Sequence, residues 1–354
     1  MSRSEQPRIL VVGAGALGGV VTHELMSLGH DVTLLTHDPD VARVLRVSGL
    51  RDVRSGELQL PRVILGHPDP GQKFDFFLLA TQPQQVEMTV EALAGFLGER
   101  GRFVCMQNGL CEERAAKHVP RSRVIGAVAA FGASTHGPGL CERTSSGGIA
   151  LGNLDGAYDE TLEILGGIMG GLGPVRLTTN LQGIRWSKLA INCATSTLST
   201  IGGERLGKLL GHTRIRKLAL AVMSECVAVA SASHVVLERL PGIPPLEWLI
   251  DAGGKRRVMR GREVMSHAVV LAIGARYRRL RSSMLRAIER GRAPAVDYLN
   301  GEVVERGAVL GIATPANLLA LRMVWSIARG ERRSSVETLL GLCDAAERAQ
   351  RGIG

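Results

Sequence analysis

A chain of 354 residues with 45% hydrophobic and 3% aromatic content exceeds one ordinary core, excludes extended disorder and predicts two domains with aliphatic interiors. Its formal charge of +10 fits a solvated or cofactor-facing basic surface, and the excess between Lys255 and Arg292 lacks the interleaved aromatics of single-strand binders, so no nucleic-acid partner is expected. The six cysteines form no CxxC pair and no zinc spacing with the nine histidines, which predicts reduced, mostly buried thiols, no metal site and a cytoplasmic protein.

Met1 to Pro7 is short and polar and leads straight into the strand Arg8 to Val12, so neither a signal peptide nor a membrane partner is expected. The strand runs into Gly13-Ala14-Gly15-Ala16-Leu17-Gly18, which opens the helical pattern ending at Gly29. This reads as a dinucleotide-binding turn, the alternative being a Rossmann-like domain that has lost its ligand: Gly13 allows the bend, Gly15 lets a pyrophosphate approach the backbone, and Gly18 lets the helix lie on the sheet. Ala16 and Leu17 would present their N–H groups at the helix's positive end. A second strand, His30 to Leu35, follows at βαβ spacing and leads to Thr36, His37 and Asp38.

Pro39 to Val47 predicts a helix, and Leu50 to Leu65 predicts short strands. Asp75 to Ala80 is a buried strand, followed by Gln82 and a helix begun by Pro83 and running to about Gly98. Gly101 to Gln107 repeats the strand, with the turn Asn108-Gly109 and a short helix over 111–118. Strands alternating with helices imply a parallel sheet whose ligands bind at the strands' carboxyl ends, where Gln82 and Asn108 fall. Extended segments are expected over 124–133, 140–144 and 148–152, then a helix over 158–171 and a strand over 175–177.

From Asn180 the strong patterns are helical: 183–198, 213–239, 277–290, 298–310 and 315–329, with a tail helix over 335–349. The class is therefore α/β, with an N-terminal Rossmann domain over 1–178 and an all-helical domain over 179–354. In the run 186–198 the only charged residue is Lys188. On a helix it shares a face with Asn192 and Ser196, a polar stripe on an otherwise buried element. Desolvation lowers a lysine's pKa toward neutrality and suits it to protonate a carbonyl oxygen; the alternative is a lysine snorkelling from a helix start.

The series 13–18, Gln107-Asn108-Gly109, 186–193, Ser282-Ser283-Met284 and 297–301 resembles the ketopantoate reductase family. The resemblance implies reduction of 2-dehydropantoate with NADPH, and a helical domain that binds substrate and joins a homodimer. It also implies that Lys188 is the general acid, that Asn108 lies near nicotinamide and substrate, and that Asn192, Ser196, Ser283, Asp297 and Asn300 line or support the substrate site. Four positions depart from the family pattern: His37 stands for an arginine, Gln82 for a lysine, Ala295 for a glutamate and Ser196 for an asparagine. Loss of a charged substrate contact, an effect of about 1.5–3 kcal/mol, predicts a different ketone, imine or enone, in specialised metabolism. A genuine 2-dehydropantoate 2-reductase and a non-redox or ligand-sensing protein on the same fold stay open. His37, with Arg43 and Arg46 nearby, favours NADP; Asp38 favours NAD.

Overall fold

The computed structural model describes residues 6–240, 243, 245–246, 260–276 and 282–350. Residues 247–259 and 277–281, which carry much of the basic stretch and the start of the helix expected over 277–290, lie outside the described residues. The chain divides into two compact units, 1–107 with 111–181 and 108–110 with 182–354.

In the first unit the strands are β1 (Ile9–Val12), β2 (Val32–Thr36), β3 (Leu50–Asp52), β4 (Leu58–Gln59), β5 (Arg62–Leu65), β6 (Phe74–Leu79), β7 (Leu97–Cys105), β8 (Val124–Ala129), β9 (Gly132–Gly137), β10 (Leu140–Ser145), β11 (Ile149–Asn153) and β12 (Val175–Leu177). Its helices are α1 (Ala16–Ser27), α2 (Pro39–Ser48), α3 (Val86–Leu93), α4 (Glu112–Ala115) and α5 (Glu160–Met169). The main sheet has eight strands in the order β12-β11-β8-β7-β6-β1-β2-β5. Every residue of β1 and β2 is buried, as continuous apolar strands covered on both faces must be.

The six strands from β5 to β8 are parallel, but β11 runs antiparallel to β8. The wholly parallel sheet expected from the sequence is thus corrected. A parallel return needs a crossover of a dozen or more residues, usually helical, and between β8 and β11 the chain instead forms the antiparallel pair β9–β10. That pair joins β3 and β4 in a second sheet of four strands, order β4-β3-β10-β9. A second correction concerns α3, which stops at Leu93 because Leu97 already pairs with Phe74 ahead of a bulge.

In the second unit the elements are α6 (Leu181–Gly202), α7 (Leu206–Leu209), α8 (Thr213–Ala232), α9 (Arg260–Arg276), α10 (Ser283–Glu289), α11 (Asn300–Val309), α12 (Pro315–Ala328) and α13 (Val336–Gln350). α9 adds to the runs expected from the sequence. α6 supplies Trp186, Leu189, Ala190, Ile191, Cys193, Ala194, Leu198 and Ile201 to one hydrophobic cluster with α8, α11, α12 and α13. Burial of that many apolar side chains, at about 1.5–3 kcal/mol for each large one, makes α6 the axis of the unit. α8 ends at Ala232 rather than Arg239. His234 takes a left-handed φ of 57° there, and the Val235 N–H donates to the Ala230 carbonyl at 3.0 Å, the closing bond of a Schellman-type stop.

Candidate active site

Gly13 leaves β1 at φ +107°, and a Cβ there would sit 3.0 Å from the Ala80 backbone beyond β6. A Cβ on Gly18 would collide with the Gly13 carbonyl. Both glycines are therefore demanded by close backbone packing. Gly15 differs, since a Cβ added to it meets no atom within 4 Å. It caps α1 without a side-chain hydrogen bond, and the first turn, begun by the half-buried Ala16 and Leu17, carries no acid. Open space, uncapped N–H groups and the helix's positive end fit a dinucleotide's pyrophosphate.

Chain order reverses at β1, between β2 and β6, so the carboxyl ends of these strands define the crevice where such sheets bind ligands. Gly13, His37 and Gln82 all follow those ends. His37 is exposed and lies edge-on to His67, with ring centroids 6.1 Å apart. The Asp38 carboxylate accepts from Asp40 N–H at 3.0 Å and Val41 N–H at 3.2 Å, capping α2. Gln82 is exposed, and its N–H donates to Gln85 Oε1 at 3.1 Å. Gln107 at the end of β7 is buried and donates to Thr81 Oγ1 at 3.2 Å.

In the second unit, the positions of α6 between Gly183 and Thr200 are all buried except Lys188, Asn192 and Ser196. These three lie four residues apart and form one polar line, as their spacing predicts. Burial, with the charge of Arg185 adding to it, brings the Lys188 ammonium down to about 7. Arg185 is itself only 2% exposed, so two cations share the first turns of a largely apolar helix. Asn192 Nδ2 is closed off from solvent with no hydrogen-bond partner. Asn108 is exposed, and beside it Gly109 holds φ +92°, where a Cβ would strike the Tyr298 carbonyl.

Behind the line runs a buried polar chain absent from the sequence reading apart from Asn300. Asn300 is fully buried; its Oδ1 accepts from Thr197 Oγ1 at 2.6 Å, and its Nδ2 donates to Asn317 Oδ1 at 2.9 Å. Asn317 Nδ2 donates to Glu225 Oε2 at 2.7 Å, and that carboxylate also accepts the N–H groups of Ala316 and Asn317, capping α12. Burial lifts the Glu225 carboxyl above its ordinary range against the pull of those N–H groups. Asn300 thus backs α6 from within the core. Of the serine pair, Ser282 is the buried one, 2.6 Å from Thr200 Oγ1 and capping α10, while Ser283 is exposed. Asp297 is exposed and accepts from Trp325 Nε1 at 2.8 Å; Ala295 is half-buried at the start of the same 3-10 turn.

Two family models match the chain: "Ketopantoate reductase PanE/ApbA" over residues 9–156 and "Ketopantoate reductase PanE/ApbA C terminal" over 180–328. The 2-dehydropantoate 2-reductase of Lactococcus lactis subsp. lactis is 24% identical over 314 residues, covering 87% of this chain and 94% of that protein. Among solved structures, a PanE/ApbA family ketopantoate reductase from Ralstonia eutropha JMP134 is similar at a TM-score of 0.75 and 25% identity, covering 92% of this chain and 99% of that one. D-mandelate dehydrogenase, solved with NADH and anilino(oxo)acetate, is similar in fold at a TM-score of 0.77 and 20% identity, covering 91% of this chain and 99% of its own.

Proposed function

The chain belongs to the ketopantoate reductase family, and from that premise we propose that it is an NAD(P)H-dependent reductase of a carbonyl compound, with NADP the favoured cofactor and Lys188 the general acid. The observation that carries this reading is Lys188 itself: a half-buried ammonium, brought down to about 7, at the head of the only polar line on α6 between Gly183 and Thr200. In this reading the first unit holds the cofactor, with its pyrophosphate at Gly13, Gly15 and the first turn of α1. The second unit holds the substrate, against Asn108, Asn192 and Ser196.

A bound nicotinamide supplies hydride to the carbonyl carbon. Lys188 Nζ then meets the charge that develops on the carbonyl oxygen and gives it a proton, a combined contribution of about 10²- to 10⁴-fold in rate. Asn192, one helical turn further along the same line and only partly buried, supplies a neutral amide beside that lysine. Asn300 acts from behind by fixing Thr197, and Ser282 by fixing Thr200, so that α6 holds the line rigidly.

The native substrate in this reading is a 2-oxo acid or related ketone, imine or enone other than ketopantoate. Ala295 and Gln82 carry no charge with which to hold the groups that a glutamate and a lysine would. D-mandelate dehydrogenase, similar in fold, was solved with anilino(oxo)acetate, which supports 2-oxo acids as the first class to screen. A homodimer in the cytoplasm completes the proposal; among the described residues no helix is long and apolar enough to cross a membrane.

The test is a screen of 2-oxo acids and ketones that follows cofactor absorbance, with Lys188→Ala run beside the unmodified chain. One or more compounds should be turned over by the unmodified chain and lost in the variant. Vigorous reduction of ketopantoate would overturn the altered-substrate reading. Nucleotide binding with no turnover of any carbonyl would favour the non-redox alternative.

A further inference from the structure

The hydrogen bonds behind α6 share one direction. At the far end the half-buried carboxylate of Glu225, on α8, accepts from the Ala316 N–H at 2.8 Å, the Asn317 N–H at 2.9 Å and Asn317 Nδ2 at 2.7 Å. An ionised carboxylate only accepts, so Asn317 must turn its amino group toward it. The second proton on that nitrogen goes to the Val222 carbonyl at 3.0 Å. Asn317 Oδ1 is thereby left facing two donors, Asn300 Nδ2 at 2.9 Å and Cys226 Sγ at 3.8 Å. Asn300, set in the same sense, gives its second proton to the Cys193 carbonyl at 3.4 Å and takes the Thr197 hydroxyl on Oδ1 at 2.6 Å. From Thr197 through both amides, every donor points toward Glu225.

Cys193 and Thr197 stand one helical turn apart, and in an α-helix the N–H of the later residue bonds the carbonyl of the earlier, so Asn300 grips both ends of a single turn. Each gripped residue directly follows a member of the polar line, Cys193 after Asn192 and Thr197 after Ser196. Asn300 and Asn317 are fully buried, where an amide turned the wrong way leaves its groups unsatisfied. We infer that Glu225 is a positioning residue for the substrate side of the second unit: its charge fixes the sense of the relay, and through Asn317 and Asn300 it seats the turn of α6 that sets Asn192 and Ser196. The inference rests on the reading of that line as the substrate site.

Two substitutions at this position separate charge from shape. Glu225→Gln keeps the shape but sets an amino group against the Asn317 donors. Asn317 relieves that opposition by rotating its amide, which points its own amino group at Asn300. Asn300 must then rotate as well, and its oxygen meets the Cys193 carbonyl. The grip on α6 is lost although the side chain at 225 keeps its size. Glu225→Asp is a methylene shorter yet still only accepts, so the sense of the relay survives. A packing role ranks glutamine above aspartate here, and the relay ranks aspartate above glutamine.

The chain contains six asparagines, Asn108, Asn153, Asn180, Asn192, Asn300 and Asn317, so heavy-nitrogen labelling of asparagine in the full chain gives a short set of side-chain amide signals by NMR, assigned by single substitutions. Glu225→Gln should move the signals of Asn317, Asn300 and Asn192 and speed deuterium exchange of the two buried amides about tenfold, while the Asn153 signal of the first unit stays in place. Glu225→Asp should move the Asn317 signal and leave that of Asn192 where it stands. With phenylglyoxylate and NADPH as probes, kcat should fall about tenfold in Glu225→Gln and about twofold in Glu225→Asp, with NADPH affinity retained. An Asn192 signal indifferent to Glu225→Gln, or a larger loss in Glu225→Asp than in Glu225→Gln, would overturn the inference. Should Glu225→Gln not fold, Glu225→Asp decides: an Asn192 signal that moves there overturns the inference, and one that stays supports it. Absence of turnover in the unmodified chain would count against the reductase reading alone, since the amide signals need no substrate.

Discussion

The glycine turn of the first unit and helix α6 of the second are built for their proposed roles by opposite means. In the turn, side chains are absent: Gly13 and Gly18 are required by backbone packing, and Gly15 leaves open space. On α6, the proposed site is a line of side chains, Lys188, Asn192 and Ser196, on a helix anchored from behind by residues distant in the chain, Thr197 by Asn300 and Thr200 by Ser282. The first kind of site is local and brittle to any added atom. The second is distributed and sensitive to the loss of a hydrogen bond.

The sharpest way to break this contrast is within the turn itself. Gly18→Val should prevent the βα turn from closing, costing more than about 3 kcal/mol and leaving little folded first unit by circular dichroism and thermal melting. Gly15→Val, three residues away, should melt like the unmodified chain while losing nucleotide affinity by fluorescence titration. Next in size is Lys188→Ala, which should depress turnover by about 10²- to 10⁴-fold with cofactor affinity retained. Because only the charged lysine donates a proton, the rate of reduction in the unmodified chain should decline as pH rises through about 7. A rate constant across that range would remove Lys188 from the acid role.

The buried chain behind α6 comes third. Asn317→Leu should cost about 2–4 kcal/mol by thermal or denaturant unfolding, because it strands the Asn300 amide and part of the Glu225 carboxylate. The smallest effect concerns Lys188 and stability. Its ammonium persists to the ordinary 10.5 when unfolded but only to about 7 when folded. Between those values the unfolded chain binds more protons, so the unmodified protein gains stability as pH rises. Lys188→Met should therefore be the more stable protein at and below pH 7, by about 1 kcal/mol after allowing for its partial exposure. The difference should close as pH approaches 10.5, and differential melting across that range checks it.

What could be read in advance follows the same division. The turn was legible because strand, glycines and helix are contiguous and each has one backbone reason to be there. Lys188, Asn192 and Ser196 were legible because helical spacing alone aligns them. Which of the adjacent serines Ser282 and Ser283 caps α10 was not legible, because it depends on where the helix begins. Asn300 was found by resemblance, yet its inward amide is explained only by Asn317 and Glu225, whose meeting with it is tertiary. That His67 lies edge-on to His37 follows from the pairing of β2 with β5, a register that no local pattern announces. The second sheet was hidden for the same reason, since β3 and β10 are separated by most of the unit.

All six cysteines are buried, and burial pushes the Cys141 thiol up to about 12 and the Cys343 thiol to about 11. Burial, with the neighbouring Cys226 thiol adding to it, also raises the Cys193 thiol well above its ordinary value. Only the thiolate attacks an alkylating reagent, and it must be reached, so buried thiols should leave the folded chain unlabelled by maleimides. A single cysteine introduced at exposed Asp155 becomes the one place a dye or spin label attaches. The unaltered chain then serves as its own blank for spectroscopy on the working protein.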